Sequence, residues 1–284
     1  MRSIPLLNVD PIAVFNDIAT AKHPPRRARM RAARAEVLVA YQRYEDAVPE
    51  VGALVAIGLT DAQKEAMQHA YAVETLPMTE LRGNLLKRII VARCPFCGLS
   101  ESSTLDHYLP KEKYPEFSIF PRNLVPSCGV CNTRKKDRIL EDGTDVRMFL
   151  HPCFDAIPDV EFLTVRTRLE GDSLVLSYRL TRPDGMATRT FMHLRSHFDK
   201  LDLADRYRRM GLEHLGGQYP ALRRAYGAAE DAVRVAEKLS EVAQDFEEVS
   251  GPNNWLAKLY RALTGNEAFC DGGFEAIRVQ PQVY

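Results

Sequence analysis

The sequence lacks a net charge, because 38 lysines and arginines balance 38 aspartates and glutamates. It also lacks any apolar run near the roughly 18 residues that a membrane-spanning helix needs. Its opening residues, MRSIPLLNVDPIAVFND, lack the three features of a secretory signal, which are a basic start, an apolar centre and a small-residue cleavage site. We therefore expect a cytoplasmic protein with no membrane partner. The neutral balance neither favours nor excludes a nucleic-acid partner, so charge has to be examined segment by segment.

Disulfides are not expected either, since a chain of 284 residues can bury a substantial core without them. Six cysteines are present, and in a reducing compartment they are metal ligands or buried apolar side chains. The chain has no internal repeat and no low-complexity segment. It therefore allows one large domain or two smaller ones.

Helix-forming residues dominate both ends of the chain. The segment from about 10 to 91 is rich in strong helix formers, and Thr60 stands where a helix cap is expected. A helical pattern returns from about 192 to 263, with GQYPALRRAYGAAEDAVRVAEKLSEVAQDFEEV as its longest run, and an irregular tail is expected after Gly265. Between them, DVEFLTVRTRLEGDSLVLSYRLTRPDG alternates apolar and polar residues around turn residues, which predicts a small antiparallel hairpin or meander.

These patterns predict an α+β fold in which a mainly helical body surrounds a small zinc-bound core, with a short antiparallel hairpin after that core. Three regions follow from the composition: an N-terminal helical region at 1–83, a metal-bearing core at 84–150, and the hairpin with a C-terminal helical region at 151–284.

Four cysteines have the spacing of a zinc site. Two C-x2-C pairs, separated by 30 residues, are formed by Cys94, Cys97, Cys128 and Cys131. Two such pairs can place four thiolates tetrahedrally around one zinc ion, which would be structural because no position stays open for water. The alternative is four unrelated cysteines.

The loop between the cysteine pairs contains polar residues in a distinctive order. Asp106 and His107 lie in the expected strand STLDHYLP, Asn123 precedes LVPS, and Asn132 follows the last cysteine, with Lys135 three residues later. This arrangement resembles the HNH nuclease family, in which a ββα unit bears a divalent metal and cleaves phosphodiesters. The match covers about 94 to 138, about a sixth of the chain.

The resemblance implies a role for each of these residues. His107 would be the general base that accepts a proton from the attacking water, and Asp106 would supply an oxygen to the metal. Asn132 stands where many members have histidine, and its carbonyl oxygen favours Mg²⁺ or Mn²⁺ over softer ions. Asn123 would brace the His107 loop through hydrogen bonds. Since adjacent residues of a strand point to opposite faces, Asp106 and His107 share one site only if the strand ends or twists there.

Substrate contacts are expected from basic residues. The resemblance places Lys135 near phosphate, and Arg134 and Lys136 are taken as further substrate-binding residues. Residues 84–140 hold ten lysines and arginines against five acids, and a helix expected over NTRKKDRILEDG would present its N-terminus near Asn132. Five further arginines between 26 and 34 are either a solvated helix surface or a contact to a nucleic-acid backbone.

Other candidate residues favour structural roles. His193 and His197 are four apart on an expected helix, but no glutamate lies between them as in H-E-x-x-H. His151 and Cys153 fit a buried connector, and Cys270 fits packing. The aromatic side chains could stack on bases, but at their spacing they more often fill a core; they are Tyr108, Tyr114, Phe117 and Phe120.

The leading interpretation is a metal-dependent HNH endonuclease that cleaves nucleic acid, DNA in preference to RNA. The alternative is a non-catalytic zinc-ribbon module that binds nucleic acid or protein. By family analogy the nuclease would serve as an effector in phage defence, held in check by a regulatory protein such as an ATPase.

Overall fold

The computed structural model describes residues 1–87 and 93–278. They form two compact units. The first comprises Met1–Ile157 and Met192–Leu201, and the second comprises Pro158–Phe191 and the described residues from Asp202 onward. The mixture of helices and small antiparallel sheets confirms the α+β class. The region boundaries at 83 and 150 stay predictions. No helix in the described part of the chain is long and apolar enough to cross a membrane.

Five helices open the first unit: α1 Pro11–Thr20, α2 Pro24–Ala32, α3 Arg34–Ala47, α4 Asp61–Ala72 and α5 Leu76–Lys87. The expected cap is present, because Thr60 and Gln63 form a reciprocal capping box at the start of α4. The chain divides α2 from α3 at the buried Ala33, although no glycine or proline marks that point. The end of the helix predicted over MTELRGNLLKRIIVAR falls at 88–92, outside the described residues.

A short hairpin and a helix follow in the same unit. Strand β1 (Thr104–His107) pairs antiparallel with β2 (Leu124–Ser127), and α6 (Gly129–Lys135) comes directly after β2. The predicted helix over NTRKKDRILEDG is therefore wrong in its bounds. It begins three residues earlier and ends at Lys135, so Asn132 lies within the helix and not at its N-terminus.

Aromatic side chains fill the core behind this hairpin. The rings of Tyr41 and Phe120 stack with centroids 4.1 Å apart, and Tyr44 meets both Phe117 and Phe120 at 5.2 Å. Phe117, Phe120 and Tyr108 are buried. The structure thus places these rings in the core, where the packing interpretation expects them, because buried aromatic rings supply large apolar contact areas.

The second unit contains the predicted hairpin and most of the C-terminal helices. Strand β3 (Leu163–Glu170) pairs antiparallel with β4 (Ser173–Leu180) through a turn at Gly171, whose φ of +56° suits glycine. The helices are α7 Thr188–Lys200, whose residues from 192 belong to the first unit, α8 Leu203–Gly216, α9 Tyr219–Tyr226, α10 Ala232–Ser250, α11 Trp255–Thr264 and α12 Glu267–Cys270.

Two expectations for this unit are corrected. The longest predicted helical run is interrupted at Gly227, whose φ of +62° ends α9 before α10 begins. The tail after Gly265 is not irregular throughout, because it contains α12 and a 3-10 turn at Gly273–Ile277. Residues 279–284 lie outside the described part of the chain.

Candidate functional site

The four predicted zinc ligands come together. One sulfur from each of Cys94, Cys97, Cys128 and Cys131 lies within 4.8 Å of the others, and all four side chains are buried and free of disulfides. Tetrahedral zinc with Zn–S distances near 2.3 Å separates sulfurs by about 3.8 Å, and the Sγ atoms of Cys97 and Cys128 are 3.9 Å apart. This cysteine cluster could therefore hold one zinc ion.

Backbone amides shape both halves of the cysteine cluster. Gly98, at a φ of +71°, donates its N–H to the Cys94 carbonyl at 2.7 Å, and the next amide, Leu99 N, donates to Cys97 Sγ at 3.4 Å. In the second half, Cys131 N donates to Cys128 Sγ at 3.4 Å. A hydrogen bond from the Cys131 thiol also lowers the pKa of Cys128. The amide hydrogen bonds stabilise negative charge on the sulfurs of Cys97 and Cys128, and the thiolate is the form that binds zinc.

His197, on α7, holds the backbone next to the cysteine cluster and is not positioned as a zinc ligand. Its Nε2–H donates to the carbonyl of Phe96 at 2.7 Å, and its Nδ1 accepts the amide proton of Leu150 at 3.1 Å. Burial lowers the pKa of His197 to about 4. Both ring nitrogens of His151 are similarly occupied by backbone groups, at 3.2 and 3.1 Å. These histidines are structural.

The hairpin and α6 share a polar interface. Thr104 and Asp106 are two residues apart on β1, so their side chains lie on the same face of the strand. Asn132 and Lys135 are three residues apart on α6 and share one face of the helix. Asn132 Nδ2 donates to Thr104 Oγ1 at 3.4 Å, and Lys135 Nζ lies 3.1 Å from Asp106 Oδ2. The structure therefore brings Asp106, Asn132 and Lys135 to the same interface.

Asp106 is a buried carboxylate with an incompletely satisfied oxygen. Its Oδ2 accepts no well-aligned hydrogen bond from the described residues, so its 3.1 Å contact with Lys135 is an ionic one. Burial raises the pKa of Asp106 to about 6, and the neighbouring Lys135 charge opposes this rise. A hard cation would have to compete with Lys135 for this oxygen.

His107 has a defined tautomer. Its Nε2 lies 2.9 Å from the carbonyl oxygen of Ser118, and since a carbonyl only accepts, Nε2 carries the proton. Nδ1 then holds a lone pair that can accept a proton. Burial lowers the pKa of His107 to about 3, so the ring is neutral at cellular pH. The ring also meets the edge of Tyr71, with centroids 4.2 Å apart.

Asp106 and His107 make contacts in different directions. Strand β1 ends at His107. Two adjacent residues can share a site only where a strand ends or twists, and the end of β1 meets this condition. Asp106 contacts α6, whereas the His107 ring contacts Ser118 in the loop between the strands. The structure therefore joins Asp106 to Asn132 directly and links His107 to them through the backbone, where Lys135 Nζ donates to the His107 carbonyl at 2.7 Å.

Asn123 fixes the loop that connects the two strands. Its Oδ1 accepts from Leu109 N at 2.7 Å, and its Nδ2 donates to the carbonyls of Leu109 at 3.0 Å and Phe117 at 3.3 Å. The side chain is fully buried. Since Phe117 immediately precedes the His107 acceptor Ser118, this clamp helps to set the orientation of the His107 ring.

The three basic residues expected near substrate occupy different environments. Lys135 points into the interior, whereas Arg134 is half-buried and Lys136 is exposed just beyond the end of α6. A contact of any of them with phosphate stays a prediction. The second basic segment is largely occupied within the protein. Arg26 and Arg29 both pair with Glu65, at 2.8 and 3.2 Å.

Sequence reasoning missed a buried arginine behind the site. Arg147 forms two hydrogen bonds with the carboxylate of Asp155, at 2.6 and 2.7 Å, and a third to Glu50 at 3.0 Å. Arg147 also donates a hydrogen bond, at 3.3 Å, to the hydroxyl of Tyr108, the residue that follows His107 in the sequence. Glu50 is 97 residues from Arg147, so no local sequence pattern links these two residues.

Comparison with known proteins shows similarity to a phage protein. No family model matches the chain, and no solved structure matches it. The chain is similar to "Protein ea31" of Escherichia phage lambda, with 28% identity over 197 residues, which is 63% of this chain and 64% of that protein. The chain therefore covers less than two thirds of this relative, whose name states no activity.

Proposed function

We propose that the protein is a metal-dependent endonuclease that hydrolyses phosphodiester bonds in nucleic acid, DNA in preference to RNA. The observation that carries the proposal is the hydrogen bond from His107 Nε2 to the Ser118 carbonyl, because it leaves the Nδ1 lone pair for a proton. The β1–β2–α6 unit that holds this histidine also presents the oxygens of Asp106 and Asn132. An effector role in phage defence, with a regulatory partner such as an ATPase, stays a prediction of the family resemblance.

His107 acts as the general base. Its Nδ1 takes a proton from the attacking water, while the Ser118 carbonyl keeps accepting from Nε2–H and so stabilises the protonated ring. Burial lowers the pKa of His107, but a bound phosphate brings negative charge to the ring and raises it again. A positioned base of this kind contributes a rate factor of about 10² to 10⁴.

Asp106 and Asn132 would hold a divalent cation. A carboxylate oxygen without an aligned hydrogen bond and an amide oxygen on the same interface are hard donors, which suit Mg²⁺ or Mn²⁺. When bound, the cation supplies stabilisation of the negative charge that develops on the leaving oxygen. The cysteine cluster, with four sulfur donors, suits a separate structural zinc ion.

One observation favours a second candidate function. Lys135 Nζ already neutralises the Asp106 carboxylate at 3.1 Å, in an interior where both side chains are buried. A carboxylate held in this way can be purely structural, and the protein would then be a zinc-ribbon module that binds nucleic acid without cleaving it. The two functions differ in whether a cation can compete with Lys135 for Asp106.

Incubation with plasmid DNA and with RNA separates the two functions. The purified wild-type protein is tested in Mg²⁺, in Mn²⁺ and in chelator, beside Asp106→Ala and the exposed control Asp137→Ala. We expect cleavage in either metal, none in chelator, a large loss in Asp106→Ala that excess Mn²⁺ partly restores, and no loss in Asp137→Ala. A folded, zinc-loaded protein that binds DNA but never cleaves it would support the non-catalytic module.

A further inference from the structure

The β3–β4 hairpin of the second unit has two different faces. One face is apolar and packs against helices of its own unit, with Leu174, Leu176 and Tyr178 buried. The other face is polar and consists of the alternate residues of each strand. These residues are Thr164, Arg166, Arg168, Glu170, Ser173, Val175, Ser177 and Arg179. We call this second surface the outer face of the hairpin.

Two arginines on the outer face are not neutralised. Arg166 pairs in register with Ser177, and Arg179 pairs with Thr164, so the two arginines are diagonal neighbours about 7 Å apart. Both are exposed, and neither forms an ion pair with a residue that the structure describes. Arg168, nearer the turn, is paired with Glu170. The end of the hairpin away from the turn is therefore cationic.

Hydroxyl groups surround these two arginines. Thr164 Oγ1 donates to the Arg179 carbonyl at 3.2 Å and lies 3.3 Å from Thr181 Oγ1, and Ser177 stands opposite Arg166. Guanidinium and hydroxyl groups are among the side-chain donors that bind the phosphates of nucleic acid. Arg26 and Arg29, by contrast, share Glu65. Free positive charge is therefore better placed on the hairpin than on α2.

We propose that the outer face binds the phosphate backbone of duplex DNA through Arg166 and Arg179. The choice of nucleic acid as partner rests on the proposed function, but the surface does not depend on catalysis. A two-stranded antiparallel ribbon fits the wide major groove of B-form DNA, where phosphates line both edges. The deep, narrow major groove of duplex RNA does not admit such a ribbon. The geometry thus favours DNA over RNA.

The test measures binding and not cleavage. The His107→Ala protein is titrated with a fluorescent DNA duplex from about 50 to 200 mM salt, alone and with Arg166→Ala/Arg179→Ala added. Two lost phosphate contacts should flatten the slope of log affinity against log salt by about two. Arg166→Lys/Arg179→Lys keeps both charges and should retain the slope, and the matched control Arg26→Ala/Arg29→Ala should change it little. Circular dichroism checks that each variant is folded.

Several outcomes would overturn the proposal. Salt curves of the Arg166→Ala/Arg179→Ala variant that superimpose on the parent curves would remove these arginines from the DNA contact. A slope lost only in Arg26→Ala/Arg29→Ala would move the contact to α2, and equal or tighter binding of an RNA duplex would contradict the choice of DNA. If wild-type protein fails to cleave but the hairpin variant loses slope, the nuclease proposal fails and the hairpin surface stands.

Discussion

The ammonium of Lys135 lies 3.1 Å from Oδ2 of Asp106, and the two side chains are 2% and 3% exposed. The same ammonium donates to the His107 carbonyl at 2.7 Å. One cation on α6 therefore contacts both consecutive residues at the end of β1. Because the pair is buried, its loss is felt more strongly than that of an exposed ion pair.

Replacing Lys135 with methionine should destabilise the protein by about 3 kcal/mol, because it leaves the Asp106 carboxylate buried without a compensating charge. Adding Asp106→Asn should recover part of this loss. Urea denaturation of zinc-loaded protein measures both effects, with the exposed Lys136→Met as control. An equal, small loss in Lys135→Met and Lys136→Met would show that Lys135 reaches solvent, where it could meet phosphate as the sequence suggested.

The purified protein should contain about one equivalent of zinc, since zinc binding is coupled to the folding of a four-cysteine site. Cys128→Ser should lower the zinc content and the melting temperature together. Cys153→Ser, which lies outside the cysteine cluster, should change neither. Elemental analysis and thermal melting are the measurements. Folded wild-type protein without zinc would contradict the assignment of these four thiols.

Local sequence patterns predict much of the fold. The cap at Thr60 and the β3–β4 alternation depend on residues close in sequence, and both could be predicted from it. The cysteine spacing likewise anticipated a buried four-sulfur cluster. The break at the fully buried Ala33 could not be anticipated, because no local breaker residue marks it.

The candidate site could be anticipated in its residue types but not in its electrostatics. Asn132 and Lys135 are spaced to share a helix face, which the sequence shows. That this face turns inward onto Asp106 depends on how α6 packs against β1, which local sequence does not encode. The Arg147 network could not be predicted in full, because one of its carboxylate partners, Glu50, is 97 residues away in sequence.

Asn123→Ala should reduce both stability and cleavage, because it leaves the backbone groups of Leu109 and Phe117 without their buried partner. Lost buried hydrogen bonds of this kind cost about 1–3 kcal/mol each. Urea denaturation and single-turnover cleavage measure the two effects. Asn84→Ala, at an exposed helix position, serves as control. Full activity in Asn123→Ala would show that the loop needs no such clamp to position His107.

Cleavage should fall as the pH drops through about 6, because Asp106, whose pKa burial raises to about 6, then takes up a proton and loses the charge that attracts a cation. His107, whose pKa burial lowers to about 3 in the free protein, is neutral across this range before substrate binds. Proton and cation compete for one carboxylate, so raising Mn²⁺ should move the midpoint to lower pH.

The same pKa shift of Asp106 also makes the free energy of unfolding depend on pH when no Mn²⁺ is added. Asp106 is protonated more readily in the folded than in the unfolded chain, so its favourable contribution to stability is complete below about pH 3.8 and is lost as the pH rises through about 6.

Rate profiles from about pH 5 to 8 at two Mn²⁺ concentrations test the competition between proton and cation for Asp106. A midpoint that does not respond to Mn²⁺ would remove Asp106 from the cation site.

Single-turnover cleavage of plasmid DNA by His107→Ala, with DNA binding and zinc content measured on the same sample, tests the assigned base most directly. The exposed His23→Ala is the matched control. We predict a rate at least about 10²-fold below wild type in His107→Ala, with binding and zinc unchanged, and a wild-type rate in His23→Ala. Cleavage by His107→Ala at the wild-type rate would contradict the assignment of His107 as the general base.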